Sequence, residues 1–412
     1  MHNAIFSRAG CRICGNSDLQ KILDLNEMPP ANAFLSKEDL DKPEPKFPLI
    51  VHFCKTCGLL QLLDVVHPSV LFRNYHYLTS ASKPLADHFE KMARELADTF
   101  TTSKSDLFLE IGGNDGILLA AVKDRCRVLN IEPAENVAEL SRQKGVPALS
   151  DSFSFDKNFA ERVLREYGPA KVIVANNVIA HIDDIRSVFE GVGHLIRADG
   201  IFVFEVHWVG NLIGNGGFDQ VYHEHLSYFS LTALNYLISQ LGLKIFDVKL
   251  VPIHGESLRV YVGIDQEQKK SVAEFLAREK KFGLDQPGAY EHFAKKVEKN
   301  KKELRDVLFK IKKEGKKIIG YGAPAKGNTL LNYFGIGNDI LECITDTTPF
   351  KQGLYSPGMR VPIYHPDKIK ERKPDYILLL AWNYADAILE KEKALREQGV
   401  KFIIPVPEVK IV

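Results

Sequence analysis

Phe47-Pro-Leu-Ile-Val-His-Phe53 reads as a strand, with Phe47, Leu49, Val51 and Phe53 on one face. The period changes near residue 85. From Pro84 to Thr101 the apolar residues Leu85, Phe89, Met92, Ala93, Leu96 and Phe100 recur at helical spacing. Leu107–Ile111 is then a short apolar run, followed by a glycine-rich turn to Gly116 and an apolar helix start at Ile117–Val122. Val128–Ile131, Lys171–Asn176 and Gly200–Val206 read as further buried strands. From about residue 265 to 312 Lys, Glu and Ala dominate. Val272, Phe275, Leu276, Phe293, Val297, Leu304, Val307 and Leu308 keep helical spacing there, most simply a solvated helical face linking two domains. A second strand–loop–helix unit opens at Lys317, with later strands at Ile340–Asp346, Asp375–Ala381 and Phe402–Pro405. Strands alternating with helices predict an α/β architecture.

The 412 residues predict two to four domains, and 45% apolar with 26% charged residues is the composition of a folded protein. The net charge of +1 demands neither a nucleic acid nor a membrane as partner. No apolar window is long enough to span a bilayer, and Met1–Gly10 is not followed by a signal-peptide core. A cytoplasmic location is expected. A single chain is expected to act alone, with a homodimer left open.

Four of the six cysteines lie within the first 57 residues. Cys11-Arg-Ile-Cys14-Gly15 and Cys54-Lys-Thr-Cys57-Gly58 are matched knuckles, each aiming two thiolates at one centre. Together they predict a structural zinc site, since four thiolates leave no position open for a reacting water. The 39 residues between Cys14 and Cys54 exceed the usual spacing, so the insert must carry structure of its own. Within it, Asn26–Phe34 reads as a tight loop. Cys126 and Cys343 stand alone in apolar surroundings, as core residues do.

The run Leu107-Phe-Leu-Glu-Ile-Gly-Gly-Asn-Asp-Gly116 leads into a helix, and the next strand ends in Glu132-Pro133. Such a strand–turn–helix–strand–acid unit suits a nucleoside-containing cofactor: the turn admits the ligand to the backbone, and the acid accepts from ribose hydroxyls. The G-x-G-x-x-G spacing of dinucleotide binders is absent. Ligands of open α/β sheets sit at the carboxyl ends of strands, which gathers Gly112–Gly116, Glu132, Asn177, His181 and Glu205 around one crevice.

Gln220-Val-Tyr222-His223-Glu224-His225 is the segment richest in candidate chemistry. Two histidines at i and i+2 could ligate a metal, but no third ligand follows at a recognisable spacing. Acid–base work suits these residue types better. His76 and His254 are further candidates; His88 and His207 read as ordinary. In the C-terminal unit, Gly320–Thr329 lacks the P-loop pattern, yet its glycines, Lys326 and the helix start make a plausible anion site, with Lys351–Gly358 as a second polar loop.

Glu110-x-Gly112-x-x-x-Gly116 resembles motif I of class I S-adenosylmethionine methyltransferases. The cysteine pairs, Glu-Ile-Gly-x-Asn-Asp-Gly, Asn-Asn-Val-x-Ala-His-Ile, Tyr-His-Glu-His and Gly-Tyr-Gly-Ala-x-x-Lys-Gly together resemble, over essentially the whole chain, the nucleotide-sugar C-methyltransferases. These add a methyl to carbon 3 of a dTDP-4-keto-deoxysugar. Gly113 departs from the family, which often has Ser there. The resemblance implies a class I methyltransferase core (76–265) between a small zinc-binding domain (1–75) and a helical linker with a second Rossmann-like domain (266–412). It implies S-adenosylmethionine held by Glu110, Gly112, Gly113, Asn114, Asp115, Gly116, Glu132, Pro133, Asp151, Ser152 and Asn177. It implies His225 as base, Tyr222 and Glu224 assisting, and His181 and Tyr77 at the enolate or substrate. His223, Lys326, Asn328 and Lys351 would hold a dTDP-type nucleotide sugar, and Cys11, Cys14, Cys54 and Cys57 the zinc. A nicotinamide-dependent oxidoreductase is the rival from the same fold, and a zinc-ribbon nucleic-acid binder the rival outside catalysis.

Overall fold

A computed structural model describes residues 4–71, 78–150, 155–253 and 256–412. Tyr77, Asp151, Ser152, His76 and His254 lie outside them. The central sheet has seven strands. From one edge they run Ala148–Leu149, Arg127–Ile131, Leu107–Ile111, Ala170–Asn176, Ile196–His207, Ser257–Gly263 and Lys244–Val251. Numbered along the chain this is 3-2-1-4-5-7-6, with the seventh strand antiparallel to the fifth. It is the strand order of a class I methyltransferase core. The central strands Leu107–Ile111 and Ala170–Asn176 are buried at every residue, which is why they read as unbroken apolar runs.

The C-terminal sheet orders its strands Ile363–Tyr364, Ile344–Thr345, Ile318–Tyr321, Tyr376–Leu379, Lys401–Ile404 and Lys410–Ile411, or 3-2-1-4-5-6. All pairings are parallel except the last. In both sheets the chain reverses its direction of winding beside the first strand, where α/β proteins bind ligands.

The N-terminal sheet pairs Leu19–Met28, Phe47–Cys54 and Leu60–Leu62, and its fourth strand is Ser227–Tyr228, from just beyond the histidine cluster. Arg12, between two zinc-site cysteines, is also tied to the central domain. Its guanidinium donates to the carbonyls of Leu62 and Leu226 and pairs with Asp183. Two helices, Lys270–Phe282 and Pro287–Lys313, occupy the expected linker. They are more than a solvated face. Glu279 is fully buried and accepts from the Trp208 indole and from the first amides of the helix Leu231–Ser239, while the Tyr290 ring lies 4.8 Å from that of Phe53. No helix among the described residues is long and apolar enough to cross a membrane.

Candidate active site

Gly15 and Gly58 take φ of +71° and +76°, and their amides donate back to Cys11 and Cys54, so the two knuckles have one shape. The four sulfurs lie within 4.8 Å of one another, with Cys11–Cys57 at 3.4 Å and Cys14–Cys54 at 3.5 Å. A tetrahedron with Zn–S bonds of about 2.3 Å has edges of about 3.8 Å, so the donor set fits zinc. Among the described residues this is the one group of three or more metal-binding side chains gathered closely enough to share an ion. His223 and His225 find separate partners, so the i, i+2 metal pair does not form.

The first turn of the central sheet is held from below. Gly112 has φ of +66°, and a Cβ there would stand 2.7 Å from Val178. At Gly113 a Cβ would meet Asn130 Oδ1 at 2.4 Å and Glu110 Oε2 at 2.8 Å. Asn130, absent from the sequence-based site, accepts from the Gly113 amide and donates to the Asn114 carbonyl. Both Glu132 oxygens accept from backbone, one from Asn114 N and one from Ala134 N, each at 2.9 Å. Glu132 therefore shapes the turn as well as facing it. Asp115 spends one oxygen on Lys144 at 2.6 Å, which makes its carboxylate a brace for the turn.

Three buried side chains here have polar atoms with no protein partner: Glu110 Oε2, Asp115 Oδ1 and both amide atoms of Asn176. Burial, with Glu132 and Asp115 nearby, pushes the Glu110 carboxyl up to about 8. An acid-lined turn with unmet acceptors suits the ammonium and sulfonium of S-adenosylmethionine. It would repel the pyrophosphate of a nicotinamide dinucleotide, which counts against the oxidoreductase reading.

At the carboxyl ends of the fourth and fifth strands three histidines converge. His181 follows Ala170–Asn176, His207 ends Ile196–His207, and His225 comes from the turn after Gln220. The His225 ring centre lies 4.9 Å from His181 and 5.3 Å from His207. His225 Nδ1 is 3.1 Å from the Gln220 carbonyl, which can only accept, so this nitrogen carries the proton. Its Nε2 is then basic and faces the Tyr222 hydroxyl at 2.7 Å. Burial pushes His181 down to about 4, so its ring is neutral near pH 7. Glu224 Oε1 accepts from Asn32 at 2.8 Å, and burial raises its carboxyl against that bond. His207 read as ordinary; its place at the end of the fifth strand was the available signal.

Four expectations need correction. His223 is 1% exposed and meets the Phe47 carbonyl at 3.1 Å; it ties the Tyr222–His225 segment to the zinc domain instead of facing a substrate. Glu205 is fully buried and committed to Arg259 at 2.7 Å and His88 at 3.0 Å, so His88, read as ordinary, belongs to a buried ion-pair cluster. Asn328 is 1% exposed and gives its amide to the Ala31 carbonyl at 2.7 Å. The linker helices keep the expected solvated face and bury the other, through Val272 and Glu279 and then Tyr290, Phe293, Val297, Leu304 and Leu308.

Lys326 lies 4.1 Å over the Trp382 ring and bonds Asn383; burial lowers it to about 8, against the pull of Asp219. Asp219 takes the Trp382 indole N–H at 2.6 Å. Lys351 donates to the Ala323 carbonyl at 2.9 Å, and burial lowers it too, against the pull of Asp346. A cavity of about 610 Å³ opens at the opposite, amino ends of the central strands, beside Lys104, Arg127 and Tyr167, and holds none of these groups.

Residues 11–72 match a zinc binding domain family, 85–248 a methyltransferase domain family and 252–407 a family described as the C-methyltransferase C-terminal domain. The chain is 36% identical over 406 residues to C-methyltransferase NovU of Streptomyces niveus, covering 98% of this chain and 96% of that protein. Among solved structures it resembles the YcgJ protein of Bacillus subtilis (13% identity, TM-score 0.34, 44% of this chain and 99% of that one). It also resembles TnmH (20% identity, TM-score 0.32, 49% and 64%). The three domain families in order, on a relative matched end to end, define an S-adenosylmethionine-dependent methyltransferase with a zinc-binding domain. The chain belongs to the C-methyltransferase family.

Proposed function

We propose that the enzyme methylates carbon 3 of a nucleotide-linked 4-keto-deoxysugar through an enolate. The observation that carries this is the Tyr222–His225 pair, a hydroxyl held 2.7 Å from a nitrogen whose tautomer is fixed by Gln220. S-adenosylmethionine supplies the electrophilic methyl. The chain's own residues have to remove a proton from the carbon beside the ketone and stabilise the oxygen that gains charge. His225 Nε2 is the base and reaches the substrate through Tyr222, whose proton it takes as Tyr222 takes the one from carbon 3. Neutral His181 offers a donor to the enolate oxygen. The ring of His207 and the backbone around Asn177 close the crevice. Glu110, Glu132, Asn114 and Asn176 hold the cofactor, with Asp151, Ser152 and Pro133 beside the adenosine by family resemblance. Lys326 and Lys351 face the phosphates.

Purified protein, S-adenosylmethionine and a panel of nucleotide 4-keto-sugars test the reading by product mass. The expected product is heavier by one methylene and carries the new methyl on carbon 3. His225→Ala should lower turnover about 10²–10⁴-fold while cofactor binding stays intact. It should also stop deuterium exchange at carbon 3 when S-adenosylhomocysteine replaces the donor. Tyr222→Phe should stop exchange too; exchange that persists in His225→Ala and stops only in Tyr222→Phe would show that tyrosine takes the proton without the histidine.

A further inference from the structure

The long insert between the two cysteine pairs is a strap laid across the molecule. Residues 29–35 leave the end of the strand Leu19–Met28 and reach both other domains. Asn32 donates to Glu224 Oε1 at 2.8 Å. One residue earlier the Ala31 carbonyl accepts from Asn328 at 2.7 Å. Two residues later the Phe34 ring lies 5.3 Å from the Lys351 ammonium. Leu35 then pairs in both directions with Tyr355, at 3.0 and 2.9 Å. The strap is fixed at its far end by the C-terminal domain and at its root by the zinc-domain sheet. Its middle delivers one carboxamide to one carboxylate of the catalytic segment.

Glu224 lies between His223, which is anchored on the Phe47 carbonyl, and His225, which carries the basic nitrogen. A carboxylate half-buried in that turn needs a donor to fix its rotamer. Asn32 supplies that donor. We propose that Asn32 is a positioning residue that acts on the reaction through Glu224. The zinc domain then serves catalysis by aiming the strap. The inference rests on the function proposed above.

Asn32→Ala, Glu224→Gln, Glu224→Ala and the double variant of Asn32→Ala with Glu224→Ala test it. In Asn32→Ala, turnover at saturating substrates should fall about tenfold, the loss of one hydrogen bond to a charged group. The KM for S-adenosylmethionine and the zinc content should hold. In the Glu224→Ala background, which removes the acceptor that Glu224→Gln keeps, adding Asn32→Ala should cost less than twofold. The substrate-free readout is the infrared carboxylate band of Glu224, isolated by difference against Glu224→Gln; it should shift in Asn32→Ala. An equal loss of turnover in both backgrounds, or an unmoved band, overturns the inference. Wild-type protein that methylates no 4-keto nucleotide sugar overturns the proposed function, and the band still decides the role of Asn32.

Discussion

At the first strand of the central sheet the Gly112 amide donates to the Ile131 carbonyl at 2.7 Å; at the first strand of the C-terminal sheet the Gly322 amide donates to the Thr345 carbonyl, also at 2.7 Å. In each case the neighbouring strand ends in an acid whose two oxygens accept from the turn and from two residues on. Glu132 takes Asn114 N and Ala134 N; Asp346 takes Ala323 N and Thr348 N. The backbone solution is one. The charges around it are opposite. Glu110, Asp115 and Glu132 surround the first turn, whereas Lys326 and Lys351 lie beside the second, with Asp219 and Asp346 as their counter-charges. A turn of this shape admits a nucleoside-sized ligand to the backbone, and the side chains decide which end of the ligand it welcomes. The acid-lined turn suits a sulfonium and an ammonium; the lysine-flanked turn suits phosphates.

Matched substitutions separate the two turns most sharply. Gly112→Val puts a branched side chain at positive φ and against Val178, and should weaken S-adenosylmethionine on the order of 100-fold in calorimetry. Gly322→Val, at φ of +83° and against Ala381, should leave that affinity unchanged and raise the KM for the nucleotide sugar. The acids form the next pair. Glu132→Ala should cost roughly 5- to 150-fold in cofactor affinity, through a lost ribose acceptor and a loosened turn. Asp346→Ala should leave the cofactor untouched. Equal effects of both acids on cofactor binding would erase the distinction. Lys351→Ala should raise the KM for the nucleotide sugar about tenfold, as the loss of one charge-assisted contact does, with cofactor affinity constant.

The smallest effect is a pH dependence. Glu110 has its carboxyl raised from 4.5 to about 8, so the protonated form is favoured in the folded, cofactor-free chain. Its contribution to stability is complete below the unfolded value and is lost as pH rises through about 8. A cationic cofactor favours the ionised form. Affinity for S-adenosylmethionine should therefore rise by a few-fold as pH climbs toward about 8, and be flat in Glu110→Gln.

The strands, both glycine turns and the zinc knuckles were legible because each is dictated locally: by a continuous apolar run, by a residue that tolerates positive φ, by paired thiolates. The direction of single side chains was not. His223 and His225 are two residues apart, yet one turns into the zinc domain and the other into the crevice, because the segment between them is a turn without strand alternation. Glu205 and His207 share the fifth strand; an arginine from the seventh strand claims the first. Asp346 stood in the sequence as the end of a strand, and only the hydrogen bonds to the turn reveal it as the counterpart of Glu132. The strap was read as a tight loop, since nothing in residues 26–34 says what it will touch 190 or 300 positions later.

The borrowed fourth strand of the N-terminal sheet has a consequence for synthesis of the chain. Leu60–Leu62 lies at an open edge until Ser227–Tyr228 pairs with it. At about 5–20 residues per second, the ribosome takes roughly 10–30 s to cover that distance. Throughout that interval the nascent zinc domain exposes an unpaired strand edge, the feature through which partly made proteins stick to one another. Cutting the chain after the zinc domain would leave the edge permanently open, so the fragment should be harder to keep dispersed than the whole enzyme.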